Sequence, residues 1–485
     1  MIRRFVLAVI LSYSCSVSGQ EYDKNWIVGY AERYDSSKVF QGHTLLTFNN
    51  KLQVKFLDVS IPLCDLWVTN GSISDEEGNL LFFTDGHRVY GKHFDLCFNG
   101  DSINPGELWE NFNGFGYPEQ NGALFLPFPG RRDEYVLFHK GVTYDKPIPG
   151  REDNIYCNIF YYSVLVDNER DNGEMRRKNV PLLKSYINDS EMAACKHGNG
   201  RDYWIVIKTM GTREYYFYLL DSSGVRLSHT QVIGTAKTKN DWNGNSVFSR
   251  DGSKFARVLP EDGLEIFDFD RCKGQFSNPR HADFPDAKLL VSSVAFSGSG
   301  RFVYVSSINK IWQYDLEAVD VGASEVVILS RDTFTSPLDH ELYNKGYFQM
   351  RLAPDNMIYV VFFGGNHFMT RIRQPDNKGI ACKAVNYDII LPAWMGGSLP
   401  LYPNFRLGVL QGSACDNTNS VVEVPYDENK RYNALSVFAI SGELIGDYKN
   451  KTIQELRSET SLIPGLYFVR ISHHGFKTKT FKLIF

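Results

Sequence analysis

The sequence predicts an all-β fold: a seven-bladed β-propeller followed by a small C-terminal β-sandwich. Three observations predict it. Aromatic residues reach 14%, with 27 Tyr and 34 Phe, against only 22% charged residues, a balance that suits pleated, half-buried surfaces. One short unit, an apolar entry, a tight turn and a long apolar strand, recurs along residues 72–361. The last 65 residues or so then change style, into strand-rich segments separated by turns.

The recurring unit is clearest in "SVAFSGSGRFVYVSS" (Ser293–Ser307). Five other stretches share its plan: "SISDEEGNLLFFTDG" from Ser72, "ALFLPFPGRRDEYVLF" from Ala123, "AACKHGNGRDYWIVI" from Ala193, "SVFSRDGSKFARV" from Ser246 and "FQMRLAPDNMIYVV" from Phe348. Their turns carry Gly, Asn or Asp, which accept positive φ or bond their own backbone, as hairpins require. Their second strands are apolar on both faces, so each must be covered twice. In a propeller, each blade packs on two neighbours and provides that cover. The turns recur about every 56 residues between Gly78 and Asn356, which makes residues 20–415 about seven blades. Six units are visible, and the seventh is expected from both chain ends, with "HTLLTF" (His43–Phe48) beside "NFRLGVL" (Asn404–Leu410). Such a join removes the open edge of a linear array. Two stacked β-sandwiches are the rival and give no reason for a period.

The first 19 residues read as a secretory signal: Arg3 and Arg4, then the apolar Phe5–Leu11, then small residues up to Gly19. The apolar run is too short for a bilayer span, and the mature chain offers no transmembrane segment. The net charge of −4 and the absence of a basic stripe give no reason to expect nucleic acid. Removing the signal leaves seven cysteines, so at least one thiol is free or pairs between chains. A Cys382–Cys415 disulfide would close a loop worth about 3–4 kcal/mol; buried free cysteines are the alternative.

No HExxH, GxSxG or GxxxxGK[ST] pattern occurs. "DNERDNGE" (Asp167–Glu174) resembles a calcium loop only superficially, because its Gly falls late and Lys178 stands where the bidentate Glu belongs. No catalytic residue, metal site or cofactor is therefore expected. The strongest polar constellation is His197, Asn199 and Asp202 at a Gly-rich turn. It reads either as a hydrogen-bonded brace within a blade or, with Asp101 and Trp109, as a ligand site on a propeller face. Trp109 belongs to the excursion Cys97–Gly122, which also carries Phe112, Phe115 and Tyr117. Those rings either form a sugar- or peptide-binding platform or lie buried over the propeller.

After the polar linker Gln411–Ser420, the tail holds "SVFAISGELIG", "SLIPGLYFVRI" and a final Lys/Thr strand. It resembles the C-terminal sorting domain of the type IX (Por) secretion system. By position, Gly442, Leu462, Gly465, Tyr467, Val469 and Ile471 match that pattern, with Lys479 and Lys482 in the basic ending. Where the family opens with a Pro-Asn-Pro step, this chain has only Pro425. The phrases "HGNGRDYWIV", "FDFDRCKG", "IWQYDLEA" and "RLAPDNMIYV" resemble the WD-repeat-like propellers of exported proteins from gliding-type Gram-negative bacteria. These likenesses imply a signal peptide at 1–19, a propeller at 20–415 and a sorting domain at 416–485. They also imply the type IX machinery as partner, and a destination in the medium or on the outer cell surface, with the tail clipped or exchanged for an anchor. Two functions remain: a non-catalytic binding or scaffold module for a protein or glycan, and a hydrolase or lyase acting on polysaccharide. The second needs two carboxylates converging in the central funnel; Asp101, Asp202, Asp251 and Asp268 are equally explicable as turn or strand-end residues, and the binding reading leads.

Overall fold

The computed structural model describes residues 20–484 except 31–40, 50, 147–153, 168–170, 236–243, 260–262, 285–290, 337–341, 344, 365, 417–430, 440–443, 459–465 and 473–478. The signal segment, Gly442, Leu462 and Gly465 lie outside the described residues. The chain divides into two compact units, residues 1–408 and 409–485.

Among the described residues, the first unit contains seven antiparallel blades and a two-stranded ribbon, Phe334–Thr335 with Leu342–Tyr343. Blade 1 comprises Asn25–Tyr30, Gly42–Phe48 and Leu52–Leu57, and blade 2 Gly71–Ser74, Leu80–Thr84 and Val89–Tyr90. Blade 3 contains Ala123–Pro127, Glu134–Tyr144, Ile155–Val166 and Glu174–Lys184. Blade 4 contains Ala193–Lys196, Tyr203–Lys208, Glu214–Asp221 and Gly224–Val232. Blade 5 is built from Asn245–Phe248, Lys254–Leu259, Gly263–Asp270 and Gln275–Ala282. Blade 6 is built from Val291–Phe296, Phe302–Ser307, Lys310–Asp315 and Val326–Ser330. Blade 7 completes the set with Tyr347–Leu352, Ile358–Phe362, Asn366–Ile372 and Ala384–Met395.

The six recurring units are the first two strands of blades 2 to 7. Their second strands are the best-covered parts of the fold: Tyr203–Lys208, Phe302–Ser307 and Ile358–Phe362 are buried throughout. Outer strands such as Gln275–Ala282 are mostly exposed. Local chemistry sets the turns. In blade 6, Ser297 N–H bonds Phe302 O at 2.8 Å, and Gly300 adopts φ +72°, a conformation that a β-carbon disfavours.

Apolar clusters lie between each pair of adjacent blades and complete a ring. Ile27, Leu57, Phe83 and Tyr90 join blades 1 and 2, and one continuous cluster joins blades 2, 3 and 4. Trp204 and Phe217 meet Phe255 and Phe267 between blades 4 and 5. Val258 and Ile266 meet Val303 and Trp312 between blades 5 and 6, and Tyr304 and Ile311 meet Met350 and Val360 between blades 6 and 7. Trp26, Val28 and Leu46 pack with Tyr359, Val361 and Met369, closing blade 7 on blade 1. Fully burying side chains of this size stabilises by roughly 1.5–3 kcal/mol each, so every blade depends on both neighbours.

The two chain ends meet in blade 1, but through a different segment from the one expected. His43–Phe48 pairs with Asn25–Tyr30 and Leu52–Leu57, while Asn404–Gly408 forms no strand. The stretch before it, Ser398–Tyr402, reaches Asn25 and Trp26 of blade 1 instead. Tyr402 OH donates to Asn25 O at 3.0 Å, its ring stacks on Trp26 at 6.3 Å, and Leu399 enters the Trp26 cluster. Pro403 at the end of that stretch cannot donate to a ladder, and the chain turns away there.

The proposed Cys382–Cys415 bond is absent. Cys382 is a free, buried thiol in the cluster between blades 6 and 7, beside the Tyr304 hydroxyl. Cys272 and Cys415 are both disulfide-bonded, while Cys64, Cys97, Cys157 and Cys195 are free and buried.

The second unit contains one four-stranded antiparallel sheet, ordered Leu444–Lys451, Tyr432–Ala439, Leu466–Ser472, Lys479–Ile484. No second sheet occurs among its described residues. Tyr467, Val469 and Ile471 occupy one strand, opposite Ala439, Val437 and Leu435; Lys479 and Lys482 lie on the last strand, opposite Ile471 and Phe468. Leu435, Val437 and Val469 are buried, as are Ile453 and Leu456 of the short helix Ile453–Arg457. A capping box starts that helix, with Thr452 Oγ1 accepting from Glu455 N–H and Glu455 Oε2 from Thr452 N–H, both at 3.0 Å.

Candidate functional site

Each blade meanders, so first-to-second turns lie on one face of the ring and second-to-third turns on the other. We call these the turn face and the entry face. The constellation His197, Asn199 and Asp202 forms on the turn face of blade 4. Asn199 N–H bonds His197 Nδ1 at 3.0 Å, Asn199 Nδ2 donates to Asp202 Oδ2 at 2.7 Å, and His197 N–H bonds Asp202 O at 2.7 Å. Arg201 grips the Asp202 carboxylate with two bonds of 2.7 and 3.0 Å. The His197 ring lies 5.3 Å from Trp204, and burial holds its pKa below the ordinary value. Behind it, Arg271 donates to the carbonyls of Lys196, His197 and Gly408. Both Asp202 oxygens are consumed within the turn.

Asp101 and Trp109 belong to the entry face. Trp109 Nε1 donates to His87 O, in the second-to-third turn of blade 2, at 3.3 Å. Arg88 lies 5.3 Å over the Trp109 ring and pairs through Nε with Asp101 at 3.0 Å. The five predicted ligand residues therefore form two groups at opposite ends of the ring, not one site. Trp109 is only half-buried, and Asp101 keeps half its side chain exposed. In the same excursion Tyr117 is buried and accepts Val142 N–H at 2.8 Å, whereas Phe115 is 49% exposed. The loop thus divides into a buried anchor and an exposed aromatic rim.

Among the described residues, Asp23 is the one carboxylate lining the axial cavity and is paired with Arg406. Outside it on the turn face, Glu21, Glu76 and Glu77 border an open groove of about 640 Å³ with Lys24 and Arg406. There Glu21 pairs with Lys24, and Glu76 accepts from Tyr22 OH. Beyond Tyr402, residues 403–408 cross the turn-face mouth. Asn404 Nδ2 donates to Arg250 O at 2.7 Å, Lys196 Nζ to Phe405 O at 2.8 Å, and Arg406 pairs with Asp23 at 2.8 Å. The space left behind Leu401–Asn404 is about 80 Å³. At the entry end, the buried carboxylates are neutralised by buried cations. Lys140 is ion-paired with Glu119, and Arg257 lies 2.9 Å from Glu191 and 3.4 Å from Glu265. Burial opposes the Lys140 charge, but Glu119 outweighs it and raises the pKa. Glu119, Cys157 and Asp189 offer ligand atoms within 4.8 Å of one another. In that cluster the Lys140 ammonium is ion-paired with Glu119, and burial raises the Cys157 thiol well above its ordinary range. Asp251 is bonded by Ser249 and Ser253 in its turn, and Asp268 by Asn278 and Arg280. The sequence offered no sign of this axial network, because its members are single polar residues on separate apolar strands.

No known protein family and no curated protein matches the sequence. Solved β-propellers do resemble the fold. The propeller domain of Cps50 (Swd1) from Myceliophteria thermophila matches at 8% identity, covering 69% of this chain and 93% of that one, with a TM-score of 0.35. The Dos1 propeller matches at 11% identity over 70% and 87%, with a TM-score of 0.36. A putative 6-phosphogluconolactonase from Bacteroides uniformis matches at 11% over 76% and 96%, with a TM-score of 0.37. The chain is a seven-bladed β-propeller. Its own strand order and the closed ring of apolar clusters define that fold.

Proposed function

We propose that this protein is an exported, non-catalytic binding or scaffold propeller that recognises a protein or glycan through its entry face. The observation that carries this reading is the axis: residues 403–408 cross its turn-face mouth, and at the entry end Lys140 and Arg257 neutralise Glu119, Glu191 and Glu265. A funnel glycosidase needs two free carboxylates about 5–9 Å apart with room for sugar between them. The rim at Trp109 and Phe115 instead presents aromatic surface beside an acid and a guanidinium, the chemistry of a recognition platform.

The export part rests on the resemblance of the tail to type IX sorting domains and of the first 19 residues to a signal peptide. We assign the type IX machinery as the partner that delivers the protein to the medium or outer surface of a Gram-negative cell. Deleting Ser461–Phe485 removes two of the four tail strands and should trap the protein in the periplasm. Cell fractionation tests this, and normal release of the truncated chain would refute it. The ligand part is tested by screening the full-length protein on glycan and protein arrays, with Trp109→Ala as comparison.

A further inference from the structure

Among the described residues, the buried axial cation Arg351 shows no ion pair. Arg351 stands on the inner strand of blade 7 and is 6% exposed. Its guanidinium crosses to the opposite side of the ring, where Nη2 donates to Asn121 Oδ1 just before blade 3. Nη1 donates to Met350 O at 3.0 Å, and Nε has no partner. The other entry-end cations differ, since Lys140 has Glu119 and Arg257 has Glu191 and Glu265. Arg351 also lines the axial cavity, whose other ionisable lining groups are Arg250, Arg406 and Asp23. Asp23 is taken by Arg406, and Arg250 donates to Asn356 Oδ1 at 2.6 Å. The charged residues lining the cavity are thus three arginines and one aspartate.

A charge removed from water is strongly destabilising unless it is paired and its donors are satisfied. A guanidinium cannot escape by losing its proton at neutral pH. Space of about 80 Å³ holds a small ion with a few waters and excludes a sugar chain. We propose that the axial cavity is a binding site for a small inorganic anion, held by the free Nε edge of Arg351. The anion neutralises the odd positive charge and ties blade 7 to blade 3 across the axis. This site is independent of the ligand on the entry-face rim.

Bromide is the probe. Crystals of the full-length protein grown with bromide as the only halide should show an anomalous peak against Arg351 Nε, absent from Arg351→Met. In solution, replacing a bulky organic anion by chloride, bromide or sulfate at constant ionic strength should raise the melting temperature of the native protein, as a ligand of the folded state does. Arg351→Met should lose that response, and the exposed-site variant Arg301→Gln should keep it. An ordered water completing Nε with no bromide there would overturn the proposal. So would a bromide peak that survives Arg351→Met, or a melting temperature indifferent to the anion. The diffraction test on the native protein stands even where Arg351→Met fails to fold.

Discussion

The His197 turn and the Trp109 loop look alike as sequence: each sets a ring beside an acid in a Gly- and Asn-rich stretch. Their structures differ in what is left over. Every polar atom of Asp202 is bonded within its own turn, and the carboxylate is buried. The Arg88–Asp101–Trp109 group keeps an exposed acid edge and a half-exposed ring, on a loop whose base is pinned by buried Tyr117 and Asn104. Residual bonding capacity therefore separates the brace from the proposed recognition surface, and residue type does not.

The base of the Trp109 loop supplies the largest expected effect. Buried His139 donates through Nδ1 to Asn104 Oδ1 at 2.6 Å, and Nε2 accepts from Ser163 Oγ at 2.9 Å. Asn104 in turn bonds Gly86 O. Burial pushes the His139 pKa from 6.5 down to about 3. Below 6.5 the unfolded chain takes up a proton that the folded ring refuses, so stability falls as pH drops through that window. Between pH 6.5 and 4.5 the His139 contribution should amount to about 2–3 kcal/mol. Buried His43, held at about 4, acts in the same direction, whereas Asp85, raised by burial to about 6, acts oppositely. The difference between native protein and His139→Gln in urea midpoints across pH isolates this residue; equal slopes would contradict the assignment.

The brace comes next. Asp202→Ala strips Asn199 and Arg201 of their acceptor and should cost about 2 kcal/mol in urea unfolding while leaving ligand binding intact. Trp109→Ala should do the reverse, with a loss of about 1 kcal/mol or less from its half-exposed ring and cation contact and the loss of binding. A large destabilisation by Trp109→Ala with unchanged binding would invert the comparison.

Much of the fold was legible because second strands such as Tyr203–Lys208 are covered on both faces and read as unbroken apolar runs. Ring closure was harder. "NFRLGVL" has a strand's composition, yet Asn404, Phe405 and Leu407 serve a crossing of the turn-face mouth, where the same apolar residues are equally useful. "NWIVGY" (Asn25–Tyr30) is a short strand without a recognisable turn unit, yet it is the first strand of blade 1, the one blade the six repeats do not account for. The His197 constellation was legible because its members are neighbours in sequence. Its separation from Trp109 was not, because local spacing carries no information about which face a turn occupies. The axial charges were invisible for the same reason: Glu119 with Lys140, and Arg351 with Asn121, meet only when the ring closes.

The most direct test of the central claim is one incubation of the full-length protein with immobilised candidate polysaccharides and surface proteins, reading retained protein and released fragments together. The expected result is retention without cleavage, abolished by Trp109→Ala and preserved in Asp202→Ala. Release of cleaved fragments by the native protein, or retention that Trp109→Ala does not change, would contradict it.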